Sequence, residues 1–150
     1  IGVYGVFSPV VSLNATITSK FIAAKLAKEG FEVVRNIRDN NVVKIRQGQR
    51  LACSAGLLGC SLGCRLDYKT GTVVQGPENT LKTYNESEYL NITPDGLYGY
   101  GQGNATKFKR KVTITQADSP DIVKISVMVM WDQNGKPQSV ETEGYLYNWQ

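Results

Sequence analysis

The stretch ITSKFIAAKLAKEGFEVVRNIRDNN, residues 17–41, has the apolar spacing of a helix. A first stripe of apolar residues recurs at intervals of three and four, the spacing at which side chains share one helix face. This first stripe comprises Leu13, Ile17, Phe21 and Ala24. Further apolar residues widen the face towards the C-terminus: Ile22, Leu26, Val33, Val34 and Ile37. We predict one helix over about residues 9–38, with Pro9 at its start and Asp39 to Asn41 as its stop.

This helix would be long for a small domain. About thirty residues at a rise of about 1.5 Å each span about 45 Å, so we expect one end to project. No charged residue precedes Lys20. The opening IGVYGVFSPVV is shorter than the roughly 20 apolar residues that cross a bilayer, and it lacks the basic start of a signal peptide. It is either a buried or frayed helix start, or the tail of a membrane anchor.

The C-terminal part of the sequence is predicted to form an antiparallel sheet. In DIVKISVMVMWDQ, residues 121–133, Val123, Ile125, Val127, Val129 and Trp131 alternate with more polar residues and define the expected core face. Asn134-Gly135 is a strong signal for a tight hairpin, after which SVETEGYLYNW, residues 139–149, returns alongside. Residues 107–116 alternate as a further strand, and residues 93–96 form a turn between short strands at 89–92 and 97–100. The fold class is therefore α+β.

The middle of the chain is rich in glycine and predicts only short strands, at residues 65–68 and 72–75. We divide one domain into a helix at 1–38, a loop-rich region at 39–87 and a sheet at 88–150. Cys53, Cys60 and Cys64 lie in the loop-rich region, and any pair of them leaves one thiol over. A short structural disulfide fits better than a metal site, because three thiolates without histidine lack a fourth ligand.

Composition limits the chemistry. The 150 residues contain no histidine, which excludes Ser-His-Asp and Cys-His catalysis and imidazole zinc sites. Paired carboxylates remain, at Glu141 with Glu143 and at Glu86 with Glu88, and a solvated strand surface explains them without catalysis. We therefore expect no enzyme activity, no catalytic residue, no cofactor and no metal.

The densest basic cluster is Lys107, Lys109, Arg110 and Lys111, close in sequence to several aromatic residues. Together with the formal net charge of +4, it permits a binding patch for DNA or another anionic surface. The alternative is the charged outer face of a strand, which discourages edge pairing. We favour this alternative, because strand alternation alone accounts for the pattern.

Residues 17–41 also resemble the end of the first helix in bacterial type IV pilin-like proteins. The resemblance is strongest to minor pilins of the type IV pilus modification protein V family, and more distant to type II secretion minor pseudopilin I. These proteins carry a run similar to IAAKLAKEGFEVVRNIRD, residues 22–39. GCSLGCRLDY at 59–68, TPDGLYGYGQGNATKFKRKVTI at 93–114 and VMVMWDQNGKPQSVETEGYLYNW at 127–149 resemble further parts of the family, so the similarity covers nearly the whole chain.

The resemblance implies a filament subunit. Family members are made as prepilins anchored in the inner membrane, cleaved by a prepilin peptidase and N-methylated, and packed through their first helix into an extracellular filament. It implies that this chain begins partway along that helix, without the family's cleavage signature and anchor. The part from about Ile22 to Ile37 would lie on the subunit's own sheet, Cys60 would pair with Cys64, and Cys53 would be free. The implied partners are other pilin subunits and the inner-membrane assembly machinery, with DNA or a surface ligand as an alternative and no small-molecule substrate.

Overall fold

One long helix packs on an antiparallel sheet, so the predicted α+β class is confirmed. The computed structural model describes residues 4–48, 55–71 and 81–147, and it describes side chains from Leu13 onward. A single turn of 3₁₀ helix at Leu58–Cys60 follows the long helix. The elements are α1 at Tyr4–Arg46, β1 at Cys64–Arg65, β2 at Lys82–Thr83, β3 at Asn91–Ile92, β4 at Tyr98–Gly99, β5 at Asn104–Ala105, β6 at Lys109–Gln116, β7 at Ile122–Gln133 and β8 at Lys136–Tyr147.

Helix α1 is longer than the sequence predicted at both ends. Its 43 residues span about 65 Å. The predicted stop at Asp39 to Asn41 is wrong: Asn41 is buried in the helix, where its side-chain amide donates to the Ala55 carbonyl at 3.0 Å. The helix ends where Gly48 adopts a φ of +87° and donates its N–H to the Ile45 carbonyl at 2.9 Å. A glycine in this conformation is a common helix C-terminus.

The main sheet has the strand order β2-β1-β6-β7-β8 and is antiparallel throughout. The predicted core face of β7 is confirmed, because all five of its alternating apolar residues are buried. The hairpin between β7 and β8 is also confirmed. Asn134 and Gly135 have φ values of 55° and 75°, the pair of positive angles that a two-residue type I′ turn requires.

A second, small sheet has the order β4-β3-β5. The turn predicted at residues 93–96 is present, with the Gly96 N–H donating to the Thr93 carbonyl at 2.9 Å. The strands on either side are two residues long and shorter than predicted. The strand predicted at 65–68 reduces to Cys64–Arg65, and it pairs with Lys82–Thr83 and with β6. The strand predicted at 72–75 and Cys53 lie outside the described residues.

The helix approaches the sheet closely at two glycines. A Cβ at Gly30 would lie 2.9 Å from Cγ1 of Val127, and a Cβ at Gly144 would lie 2.7 Å from the ring of Phe31. The missing side chains therefore let α1 sit against β7 and β8. The expectation that the helix from Ile22 to Ile37 packs on the sheet of its own chain is confirmed: Leu26 and Val34 are buried, and Ile22, Val33 and Ile37 pack against the same core.

Candidate functional site

Helix α1 has two apolar faces. The buried face begins at Ser19 among the described side chains and continues through Ala23, Leu26, Ala27 and Val34. The second face is the first stripe of the sequence analysis. At about 100° per residue its centre lies about 120° around the helix from the buried face. The sheet therefore covers one apolar face of α1 and leaves the other in solvent.

We call the second face the exposed stripe and define it as Leu13, Ile17 and Phe21. Their exposed fractions are 62%, 63% and 61%. No side chain from Leu13 to Thr18 is buried, and Thr16 is the one half-buried residue in this range. Lys25 places its ammonium 4.5 Å from the centre of the Phe21 ring. Three large, solvent-exposed apolar side chains on successive turns are typical of a surface that meets a partner.

Arg110 does not belong to the predicted basic patch. It lies on the core face of β6 and is fully buried, so its assignment as a surface ligand for anions is wrong. Its Nη1 donates to the Leu26 carbonyl and to Oε1 of Glu29, both at 3.0 Å, and its Nη2 donates to the Leu66 carbonyl at 2.8 Å. Arg110 thus joins the helix, the sheet and the segment after the disulfide. The alternation of β6 already placed it on the side of Val112 and Ile114.

The three lysines of the cluster lie together on the opposite, outer face of the sheet. We call Lys107, Lys109 and Lys111 the lysine row. Each ammonium lies near an aromatic ring: 5.8 Å from the centre of Phe108, 4.6 Å from Tyr89 and 5.6 Å from Tyr84, respectively. Lys107 also donates to the Gln133 side chain at 2.8 Å. Among the described residues, no carboxylate forms an ion pair with any of the three.

Lys107 and Lys109 line one side of a cavity of about 500 Å³, which we call the outer groove. Lys111 follows them along β6, next to the groove. The floor of the groove is apolar and is formed by Met128 and Met130 of β7. These methionines stand directly opposite Lys111 and Lys109 in the ladder between β6 and β7. The other lining residues are Tyr84, Glu86 and Tyr89 on one side, with Trp131, Asp132, Pro137, Gln138 and Ser139 on the other. A cavity of this volume suits a small ligand or part of a larger one.

Tyr84, Tyr89, Met128 and Met130 were not among the site residues predicted from the sequence. The signal for the methionines was present, because two large apolar residues occupy the outer face of a strand whose core face was already assigned. No such signal marks the tyrosines, which lie in the segment between β2 and β3 that crosses the sheet. Partial burial raises the pKa of the Tyr84 hydroxyl, and the nearby Glu86 carboxylate adds to the shift. Tyr84 therefore stays neutral in ordinary buffers.

A disulfide joins Cys60 to Cys64, as the resemblance implied. The loop that it closes presents Leu62, whose side chain is 89% exposed. A Cβ at Gly63 would lie 2.3 Å from Cε of Lys111, so the loop passes directly against the lysine row. The disulfide therefore fixes one border of the outer face beside the row.

Three of the four paired carboxylates have structural partners. Glu141 accepts a hydrogen bond from the Ser126 hydroxyl at 2.5 Å, and Glu143 pairs with Lys124 at 2.8 Å. The hydrogen bond to Glu143 is the main reason that the pKa of Lys124 is raised. Glu88 forms an ion pair with Arg65. Within the part of the chain that the structure describes, no group of three or more acidic or cysteine side chains is arranged to hold a metal.

Across residues 4–48, 55–71 and 81–147, no helix has an apolar stretch long enough to span a bilayer.

The geometry defines a class: an α+β protein with a long helix on an antiparallel sheet, an exposed apolar stripe on the helix and a basic, aromatic groove on the outer sheet face. Comparison of the chain with protein-family models, with curated proteins and with solved structures gave no match.

Proposed function

We propose that this protein is a subunit of an extracellular filament of the type IV pilus kind, a minor pilin, which assembles through its N-terminal helix. The observation that carries the proposal is the exposed stripe on a helix whose other apolar face is already covered. The resemblance of residues 17–41 to the first helix of pilin-like proteins supports the same proposal.

Apolar side chains on one flank of a helix are stabilised when a second apolar surface covers them. If the cover is another copy or a related subunit, the contact joins the stripe to a different patch of its neighbour. Such heterologous contacts produce an open helical filament when their rotation does not close. The subunit would be held at the inner membrane before assembly and displayed on the cell surface afterwards.

The test compares two double variants in the cell that produces the protein. Ile17→Glu with Phe21→Glu places two charges on the stripe. Asn14→Glu with Thr18→Glu is the matched control, because it places the same charges on exposed positions of the same turns but off the stripe. We expect the stripe variant to remove surface filaments, seen by electron microscopy, and the control to retain them. Both purified variants should keep the helical circular dichroism signal, because all four side chains are exposed.

Two results would redirect the proposal. Filaments that persist in both the stripe variant and a gene deletion, together with lost attachment to a surface, would favour an adhesin or receptor displayed on the filament. A deletion that blocks protein secretion without affecting surface filaments would favour a type II secretion pseudopilin. Equal loss of filaments in the stripe variant and its control would contradict assembly through this stripe.

A further inference from the structure

The outer groove is a second surface, distinct from the exposed stripe, and we propose that it binds single-stranded nucleic acid. This proposal does not depend on the filament, because the groove lies on the sheet and its neighbouring loop while the stripe lies on α1. The lysine row would contact phosphates, and the tyrosines would stack with exposed bases. Three properties of the groove support this: the spacing of its cations, its rings and its floor.

The cations are arranged in a line. Lys107, Lys109 and Lys111 are alternate residues leading into and along β6, so neighbouring positions are about 6.7 Å apart and the row spans about 13 Å. Because no described carboxylate pairs with them, their charge is available to an incoming ligand. A straight row of separated charges suits a linear polyanion better than a single compact anion.

The rings distinguish nucleic acid from other polyanions. Tyr89 is 46% exposed and holds the Lys109 ammonium 4.6 Å from its ring centre, so a ring and a cation are offered at the same point. Tyr84 and Lys111 repeat the arrangement. Proteins that bind single strands combine a basic track for the backbone with aromatic rings on which successive bases stack. Paired bases in a duplex cannot reach such rings.

The floor and volume fit a base. Met128 and Met130 supply polarizable thioethers, which make favourable contacts with flat aromatic rings. The cavity of about 500 Å³ lies in the range of small-ligand sites. Of its two acidic residues, Asp132 is engaged by the Gly135 N–H at 2.7 Å. An acidic peptide would use the lysines but would leave the stacking surfaces without a specific role.

The first experiment measures binding of a fluorescent oligothymidylate to the purified protein by anisotropy over a salt series. A short basic track predicts weak affinity, with a Kd on the order of 10⁻⁴–10⁻⁶ M. The test variant is Lys107→Gln with Lys109→Gln and Lys111→Gln. The control, Lys20→Gln with Lys25→Gln and Lys28→Gln, removes the same charge from exposed positions on the helix.

We expect the groove variant to weaken binding at least tenfold and the control to change it less than twofold. The slope of log K against log salt should become shallower by about 2 in the groove variant, because each lost phosphate contact to a single strand contributes about 0.7. Absence of binding by the parent protein, or equal weakening by both triple variants, would overturn the proposal.

The second experiment tests stacking. Tyr89→Leu removes the ring and keeps an apolar side chain, and Tyr145→Leu is its control, because Tyr145 is 50% exposed but does not line the groove. We expect Tyr89→Leu to weaken the affinity for the oligonucleotide about fivefold or more, which is the lower end of the effect of losing one stacked base. Tyr145→Leu should leave the affinity unchanged. Unchanged affinity in Tyr89→Leu, equally tight binding of a duplex, or equal competition by polyglutamate would refute recognition of single-stranded bases. Equal competition by polyglutamate would assign the groove to acidic peptides instead.

Discussion

The buried guanidinium of Arg110 provides the sharpest test of how this fold is held together. Arg110 is fully buried, and its only carboxylate partner among the described residues is Glu29, whose side chain is 37% exposed. We predict that Glu29→Gln destabilises the protein, because the guanidinium then keeps its bonds to the Leu26 and Leu66 carbonyls but loses its counter-ion. Burying a charge without a counter-charge is costly.

The expected loss in the free energy of unfolding follows from the distance between the two charged groups. Two unit charges separated by the 3.0 Å between Nη1 of Arg110 and Oε1 of Glu29 interact by about 5 kcal/mol at an effective dielectric constant of about 20. Because Glu29 is partly in solvent, screening reduces this by about half. We expect Glu29→Gln to lower the free energy of unfolding by about 2–3 kcal/mol, which corresponds to a fall in Tm of about 4–12 °C for a domain of this size.

The assay is a double-mutant cycle by urea unfolding, followed by circular dichroism with the disulfide intact. Arg110→Met removes the buried charge with a side chain of similar length, and in that background Glu29→Gln should cost less than about 0.5 kcal/mol, because Glu29 is then an ordinary surface carboxylate. The coupling energy between the two positions should therefore be about 2 kcal/mol. A coupling energy below about 0.5 kcal/mol would refute the reasoning, since the ion pair would then make no net contribution.

Three further predictions concern packing, the disulfide and pH. Gly144→Ala should destabilise the protein by about 1–3 kcal/mol in urea unfolding, because the new methyl group meets the ring of Phe31 at 2.7 Å; an unchanged midpoint would contradict this close packing. Replacing Cys60 and Cys64 together by serine should cost about 2 kcal/mol, the loop entropy expected for so short a ring, and equal midpoints for the variant and the oxidised parent would contradict it. Burial raises the pKa of Tyr100 from 10.0 to about 12, with opposing contributions from nearby arginines. The folded state therefore holds this proton more tightly than the unfolded state, and about 2–3 kcal/mol of stability, present below about pH 10, should be lost as the pH rises to about 12. Tyr100→Phe should lack this part of the pH dependence, and an unaltered profile would contradict the assignment.

Local patterns were sufficient for the sheet hairpin and for the part of the helix that packs on it. The alternation in residues 121–133 assigned the core face of β7, and the positive φ values demanded by the Asn134-Gly135 turn favour those two residues over others. These elements depend on residues that are close together in the sequence, and a local sequence pattern reports on such residues.

Features that depend on distant contacts were missed. The helix continues past Asp39 because Asn41, a residue that often ends helices, finds a buried partner in the Ala55 carbonyl. Arg110 was grouped with the surface lysines because the four residues form the densest basic cluster in the sequence, although its strand position points inward and it is fully buried. Its partners come from residues 26, 29 and 66, and no pattern within β6 could reveal them. Tyr84 and Tyr89 reach the groove only through the path of the segment before β3.

The exposed stripe and the buried face lie on different sides of α1. Substitutions on the two faces should therefore have different effects on the free energy of unfolding. Ile17 and Phe21 are 63% and 61% exposed, whereas Leu26 and Val34 are almost fully buried. We predict that Ile17→Glu with Phe21→Glu changes the free energy of unfolding by less than about 0.5 kcal/mol, as is usual for surface positions. Leu26→Ala should cost about 2–5 kcal/mol, because it leaves a cavity between the helix and the sheet. If the stripe variant were as unstable as Leu26→Ala in urea unfolding, the stripe would belong to the core of the subunit, and loss of filaments would report misfolding instead of a lost contact. If it is as stable as the parent protein, loss of filaments identifies a surface that is used only between subunits.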